Sequence, residues 1–362
     1  MCHTPFASLD ELLAPETLSR LVETSITSAR RFPFVGGHSA SGSSFLTVET
    51  NDGHGPRFVV KLSSPACDWI VRATADECGR EVLVWSHGLL DQLPPEIVHP
   101  VVACARDGDG WAILMRYVSD DLLRDPMGTS PIGRGDHRRY LDALAAMHVA
   151  FWESPWATET GRGLTTSWRL YTALSAETGW REANHPNEVV GMIRHGWELF
   201  WELAEPDVAD LVHRLCQDPA PLCAALARYP QTVVHGDPRG ANIGIVRKPT
   251  PRVILLDWHL VSPSPPGVDL AWYLWALGIQ LPVSRETTIA WYRDRLAHRL
   301  GDRFSESWWQ PQMALSLLGQ VLRGIWWHAW AAIEEPDLAY RAWIRQDMIW
   351  WCKRAREGAH WL

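Results

Sequence analysis

The sequence predicts an α+β protein, with paired antiparallel strands in its N-terminal part and a mainly helical remainder. Within the first part, two pairs of short apolar runs are each joined by a glycine-containing turn. From Arg138 onward, apolar residues recur at helical spacing. A polar loop enclosed by two strand-like runs, Val233–Ile245, interrupts the helical part and is the stretch that the rest serves.

The N-terminal segment 1–32 reads as helix in two pieces, Leu9–Leu13 and Pro15–Ser28, with Pro15 suited to a first helical turn. The Gly/Ser stretch Gly36–Ser44 follows. Small residues let backbone N–H groups approach phosphate oxygens, and serines add hydroxyl donors, so Ser41, Gly42, Ser43 and Ser44 are candidates for phosphate contact. The stretch is neither a Walker A loop nor a clean GxGxxG, and a flexible turn is the alternative. Phe45–Thr50 and Arg57–Leu62 read as strands around the turn Asn51–Pro56. Lys61 lies inside the second strand, one hairpin after the glycine-serine stretch, where a kinase keeps its phosphate-binding lysine. Such a lysine needs a carboxylate to orient it. The helix-like stretch Asp68–Leu90 offers Glu81, with Glu77 one turn earlier on a similar face. Val101–Ala105 and Trp111–Val118 form a second hairpin around Arg106–Gly110. Ser119–Asp136 then crosses to the helical part.

Arg138–Glu153 and, within Ser154–Tyr229, Val189–Leu203 and Val208–Cys216 read as helices. The polar loop carries His235-Gly236-Asp237, then Asn242. A strand-like run, Val253–Leu256, ends on Asp257-Trp258. An Asp, an Asn five positions later and a further Asp at a strand end are how phosphoryl transfer of the kinase type places one base and two magnesium ligands. Asp237 is then the catalytic base, and Asn242 and Asp257 hold the metal through oxygen. A proline-rich loop leads to Gly267-Val268-Asp269, which opens a helix running to Ile279, with Asp269 near its positive end. Three helices follow near 285–300, 306–334 and 337–356.

Composition bounds the partners. The chain has 362 residues, 46% hydrophobic and 21% charged, enough for a sizeable core. A net charge of −8 without a long basic run argues against nucleic acid as a partner. Seven cysteines, without zinc-type spacing, read as mostly buried thiols in a reducing compartment. No basic-then-apolar leader opens the chain and no apolar run reaches transmembrane length, so a cytoplasmic protein without a membrane partner is expected. The 22 tryptophans belong mostly to the core, with an aromatic cage for an amine as the alternative.

His235-Gly236-Asp237…Asn242, Asp257-Trp258 and Gly267-Val268-Asp269-Leu270-Ala271 together resemble the aminoglycoside phosphotransferase and choline kinase-like family. Leu144–Trp152 is similar to another helix of that family, in which His148 braces the catalytic loop or, alternatively, acts as a base. The resemblance spans roughly residues 34–280. It implies a protein-kinase-like two-lobe fold, with a nucleotide-binding lobe over 1–118 behind a helical extension and a larger helical lobe over 119–362. It favours Glu81 over Glu77 as the partner of Lys61. It also implies that the backbone of Arg116, Tyr117 and Val118 pairs with the nucleotide base, with Met115 behind it or simply in the core. Arg239 falls where related kinases keep a cation near the transferring phosphate, an ordinary loop arginine being the other reading. One departure stands out: where the family often has a second acid two residues after the aspartate, this chain has His259.

The activity implied is transfer of the γ-phosphate of ATP or GTP, with Mg²⁺, to a hydroxyl of a small molecule. The acceptor would be an aminoglycoside or another antibiotic, as in resistance or self-protection, or else an amino alcohol such as choline or a natural-product intermediate. A non-catalytic nucleotide-binding protein is the alternative from another class, and the intact set Lys61, Asp237, Asn242 and Asp257 argues against it. His-Gly-Asp in place of His-Arg-Asp, with no later Ala-Pro-Glu, argues against a protein-side-chain kinase. The oligomeric state stays open.

Overall fold

The structure, a computed structural model, describes residues 2–35, 39–123, 130–159 and 161–362. Gly36, Gly37 and His38 of the glycine-serine stretch, and residues 124–129 of the expected crossing, lie outside the described residues. The chain folds into two compact units, residues 1–122 with 242–259, and residues 123–241 with 260–362.

The first unit is built on a five-stranded antiparallel sheet in the order β1–β2–β3–β6–β5. These strands are β1 Ala29–Pro33, β2 Ser44–Thr50, β3 Phe58–Ser63, β5 Val101–Asp107 and β6 Gly110–Arg116. β3 is central and buried from Phe58 through Lys61, and its register sets Lys61 opposite Phe45 on one side and Ile113 on the other. Two short helices, α1 Leu9–Leu12 and α2 Pro15–Val22, precede the sheet. The expected helix to Ser28 stops at Val22, because Glu23 turns left-handed at φ 52. The residues beyond pair with β2 as an edge strand, four of whose five residues are exposed, so no buried alternation advertised it.

A second correction concerns Asp68–Leu90. It is two helices, α3 Trp69–Ala73 and α4 Arg80–Ser86. Ala75 at φ 50 and Gly79 at φ 72 break the run. Gly79 is obligatory there, since a Cβ would sit 2.3 Å from the Trp111 ring. Glu77 therefore lies in the break, outside the helix that carries Glu81. A three-stranded sheet completes the unit: β4 Ile97–Val98 runs parallel to β9 Arg252–Leu255, which forms a hairpin with β8 Ile243–Val246.

In the second unit, β7 Thr232–Val234 pairs antiparallel with β10 Ser262–Ser264, a strand hidden in what the sequence suggested was only a proline-rich loop. Helices surround this pair. They are α5 Arg134–Ala150, α6 Pro155–Thr158, α7 Ser167–Thr172, α8 Ala176–Arg181, α9 Glu188–Leu203, α10 Pro206–Gln217, α11 Ala220–Leu226, α12 Gly267–Ala276, α13 Arg285–Leu300, α14 Glu306–Glu334 and α15 Leu338–Ala359. α12 ends at Ala276, a turn short of the expected Ile279. α14 is the axis: α9, α12 and α15 all pack on it, and most of its residues are buried. Glycine permits the closest approach, with Gly196 of α9 placed so that a Cβ would meet the Trp326 carbonyl oxygen at 2.2 Å.

The seven cysteines are all free, but only Cys104 and Cys352 are buried, while Cys2, Cys67 and Cys78 are exposed. The expectation of mostly buried thiols fails because these three sit at the terminus and in the turns around α3. Among the described residues, no helix is long and apolar enough to cross a membrane.

Candidate active site

In the first unit the chemistry centres on Lys61. Its ammonium lies 2.5 Å from Glu81 Oε2 and 2.5 Å from Asp257 Oδ1. Three elements supply these groups: the centre of β3, the first turn of α4 and the end of β9. Burial alone would lower the Lys61 pKa, yet the Asp257 and Glu81 carboxylates outweigh it and hold the amine above its ordinary range. Burial likewise opposes ionisation of Asp257, and here His259 and Lys61 prevail, holding the carboxyl well below 3.8. Glu81 is pushed upward, by burial first.

The loop after β9 is fastened on several sides. Trp258 N–H donates to Glu81 Oε1 at 3.1 Å, and the buried Arg80 donates to the His259 carbonyl at 2.6 Å. His259 Nδ1 lies 2.6 Å from Asp257 Oδ1, so the residue that replaces the family's second acid binds the aspartate itself. Asp257 takes φ 69, a left-handed conformation that costs a non-glycine residue of order 1–3 kcal/mol and persists where the surroundings impose it. Both side-chain donors converge on Oδ1, and among the described residues none reaches Oδ2. A carboxylate kept anionic with one oxygen unengaged fits a hard divalent cation. Asn242, 3% exposed, stands just ahead of β8, and its carbonyl accepts from Leu256 N–H at 3.1 Å. Its amide oxygen is of the right donor class as well.

The remaining nucleotide candidates also lie in this unit. Ser41 and Ser43 hydroxyls donate to Asp68 Oδ2 at 2.6 and 2.5 Å, while Asp68 Oδ1 caps α3. Gly42 takes φ 105, and Ser44 opens β2. Met115 is buried on β6. The N–H groups of Arg116 and Tyr117 donate to the Pro100 and Arg57 carbonyls at 2.9 and 3.1 Å, and the Val118 carbonyl accepts from Asp121. Pairing to a base would therefore fall to the other backbone groups of this segment.

In the second unit the His-Gly-Asp turn is braced by one carboxylate. Asp269 Oδ2 accepts from His235 N–H at 2.7 Å, and Oδ1 from Gly236 N–H at 2.8 Å. His148 Nε2 approaches Oδ2 at 3.2 Å, and its other nitrogen meets the Tyr292 hydroxyl at 2.5 Å. Burial works against Asp269 ionising, but His148, His235 and the Gly236 N–H overcome it and lower its pKa. His148 is fully buried, with both ring nitrogens tied into this network. Gly236 has φ 85, and a Cβ there would lie 2.3 Å from the Leu260 carbonyl oxygen, so no other residue fits. Asp237 follows, 4% exposed, with Oδ2 3.2 Å from Arg239 Nε.

Sequence reasoning passed over His259 as the partner of Asp257, Asp68 beneath the serines, and Arg323. Arg323 donates to the Gly236 carbonyl at 2.6 Å from the middle of α14. A lone arginine in an apolar helical run was its signal.

The chain belongs to the phosphotransferase enzyme family, whose model matches residues 39–309. Phosphoryl transfer is accordingly its chemistry. Solved structures agree on the fold. An ethanolamine kinase of Plasmodium vivax is 11% identical with a TM-score of 0.53, covering 95% of this chain and 85% of its own. A microcompartment-associated aminopropanol kinase is 12% identical with a TM-score of 0.52, covering 94% and 97%. Choline kinase LicA from Streptococcus pneumoniae is 16% identical with a TM-score of 0.49, covering 95% and 98%. The architecture is thus the α+β kinase-like fold that the sequence resembled. No curated protein sequence matches the chain significantly.

Proposed function

We propose that this chain moves the γ-phosphoryl group of ATP or GTP onto a hydroxyl of a small molecule, in the cytoplasm. The observation that carries the reading is the buried Lys61 ammonium held at 2.5 Å by both Glu81 and Asp257, an arrangement that core packing alone does not call for. Lys61, fixed by Glu81, holds the α- and β-phosphates, with the backbone of Ser41–Ser44 over them and the segment Met115–Val118 along the base. Asn242 and Asp257 would hold Mg²⁺, which when bound would neutralise charge on the phosphates. Asp237 accepts the acceptor's hydroxyl proton and aims its oxygen at the γ-phosphorus. The new P–O bond forms as the bond to the β-phosphate oxygen breaks. Arg239 steadies the charge on the transferring group. Little covalent chemistry is asked of the protein beyond this positioning.

The ethanolamine kinase and the aminopropanol kinase that share the fold motivate a hydroxylated small-molecule acceptor. The test is release of ADP or GDP with Mg²⁺ across aminoglycosides, other hydroxylated antibiotics, amino alcohols and hydroxy acids. Transfer should vanish in Asp237→Ala while nucleotide affinity by calorimetry persists. Near-wild-type transfer in that variant would remove Asp237 from the chemistry. Nucleotide binding without any transfer would favour a silent binding protein.

A further inference from the structure

One buried cation has no role in that scheme beyond touching the loop. Arg323 lies on α14 and is 1% exposed. One nitrogen, Nη2, donates to the Gly236 carbonyl, and the guanidinium lies over the Trp272 ring at 3.9 Å. Its Nε and Nη1 are buried and meet no acceptor among the described residues. Asp237 and Asp269 are near enough to act on it through charge, but neither is within ion-pair distance among the described residues. A buried guanidinium thus keeps two donors idle next to the His-Gly-Asp loop, where buried donors are ordinarily satisfied.

Its neighbours share the condition. The Tyr171 hydroxyl, the Trp272 indole N–H and both polar atoms of the Gln320 amide are also buried without a partner among the described residues. Gln320 stands one turn before Arg323 on α14. Tyr171, from α7, packs against Gly319 of the same helix, so closely that a Cβ there would lie 2.7 Å from the hydroxyl. Trp272, from α12, lies under the guanidinium. Three helices thus supply four polar side chains at or near Arg323 with atoms that lack a hydrogen-bond partner among the described residues, and Arg323 itself reaches Gly236. Most buried polar groups are paired; other unpaired atoms occur in the chain, but here several of them, with a buried cation, gather around one helix.

The chemistry of the set is one-sided. Arg323 Nε and Nη1, Trp272 Nε1 and Gln320 Nε2 can only donate, the Tyr171 hydroxyl can donate, and Gln320 Oε1 alone can only accept. The charge is positive. An ammonium would add donors and positive charge to donors and positive charge, whereas a planar oxyanion answers both. We propose that this cluster binds the acceptor through a carboxylate, so that the substrate is a hydroxylated organic acid. The inference rests on the kinase reading and narrows its acceptor. Arg323 then links the two ends of the molecule, with its idle donors on the acid and Nη2 on the backbone that precedes the base, Asp237.

The test uses the full chain in thermal-shift and calorimetric titrations, with and without Mg²⁺–ADP. Three probe sets of two to ten carbons are compared: hydroxylated carboxylates such as gluconate, neutral polyols such as glucose, and hydroxylated amines such as glucosamine and choline. Carboxylates should bind and stabilise while the amines do not. Tyr171→Phe, which leaves the loop contact intact, and Arg323→Lys, which keeps the charge, should each weaken the carboxylate by about tenfold or more. Mg²⁺–ADP affinity should stay unchanged in both, reporting that each is folded. Stabilisation by the amines, by no carboxylate, or undiminished carboxylate affinity in both variants overturns the proposal. Failure of the wild-type chain to bind Mg²⁺–ADP would instead sink the kinase reading, and the carboxylate titrations would remain readable by themselves.

Discussion

Asp269 is the residue on which the geometry of the catalytic loop depends most directly. It accepts the His235 and Gly236 N–H groups and meets His148, all without solvent. Its pKa is lowered in the folded chain. A depressed carboxyl binds its proton less readily folded than unfolded. The stability it contributes is therefore complete above the unfolded value, about 4, and is lost as pH falls through the folded one. Asp269→Asn keeps the shape but presents an amide N–H toward donors that need an acceptor. We expect a lower melting temperature at neutral pH and a shallower loss of stability than wild type as pH falls below about 5. Parallel acid slopes in the two proteins would show that Asp269 is not held in its charged form. At this scale the sequence was most readable where chemistry imposes spacing. Lys61, Glu81 and Asp257, which the structure brings together, were legible from their order along the chain, a strand lysine, a helix glutamate and an aspartate at a strand end, rather than from any one of them alone. His259 and Asp68 were harder to see, because histidine beside an aspartate and aspartate ahead of a helix are both commonplace. Their roles emerge only when the chain brings them to Asp257, Ser41 and Ser43.

At the scale of elements, the segment from Asp68 to Ser86 shows what periodicity misses. Apolar residues continue at helical spacing through it, yet Gly79 at φ 72 against the Trp111 ring divides α3 from α4. That break fixes where α4 begins and so aims Glu81, in its first turn, at Lys61. Gly79→Ala adds a Cβ at 2.3 Å from the indole and forces a positive φ on alanine. The expected cost is about 1–3 kcal/mol by chemical denaturation, and nucleotide affinity should fall severalfold as α4 shifts. Unchanged affinity would mean that the Lys61–Glu81 pair does not depend on the break. β1 and β10 were missed for a related reason. β1 is an exposed edge, and β10, Ser-Pro-Ser, lacks the β-branched and aromatic residues that mark strands. Both are made by their partners, β2 and β7, rather than by their own residues.

For the whole molecule, the excess of tryptophan finds its use in the larger unit, around cations of the protein itself. Arg285 lies 4.9 Å from the Trp350 ring and 5.5 Å from the Trp351 ring, while its guanidinium pairs with the buried Asp347 at 2.5 Å. The same carboxylate takes His328 at 2.8 Å and the Trp351 indole at 3.2 Å, and His328 in turn accepts from Trp275 at 3.1 Å. One aspartate thereby joins α12, α13, α14 and α15. These tryptophans were legible as core from their spacing, but not as the walls of an internal ion network, since Arg285 and Asp347 are 62 residues apart. Asp347→Ala leaves Arg285 and His328 buried without their anion, a loss of about 3–5 kcal/mol for a pair broken from one side. It touches no group assigned to phosphoryl transfer. Its signature should be a large fall in melting temperature, with Mg²⁺–nucleotide affinity at low temperature unchanged within about twofold. A comparable loss of affinity in the folded variant would mean that the network tunes the site as well as supporting the helices. An unchanged melting temperature would mean that the tryptophan packing alone holds this end of the molecule together.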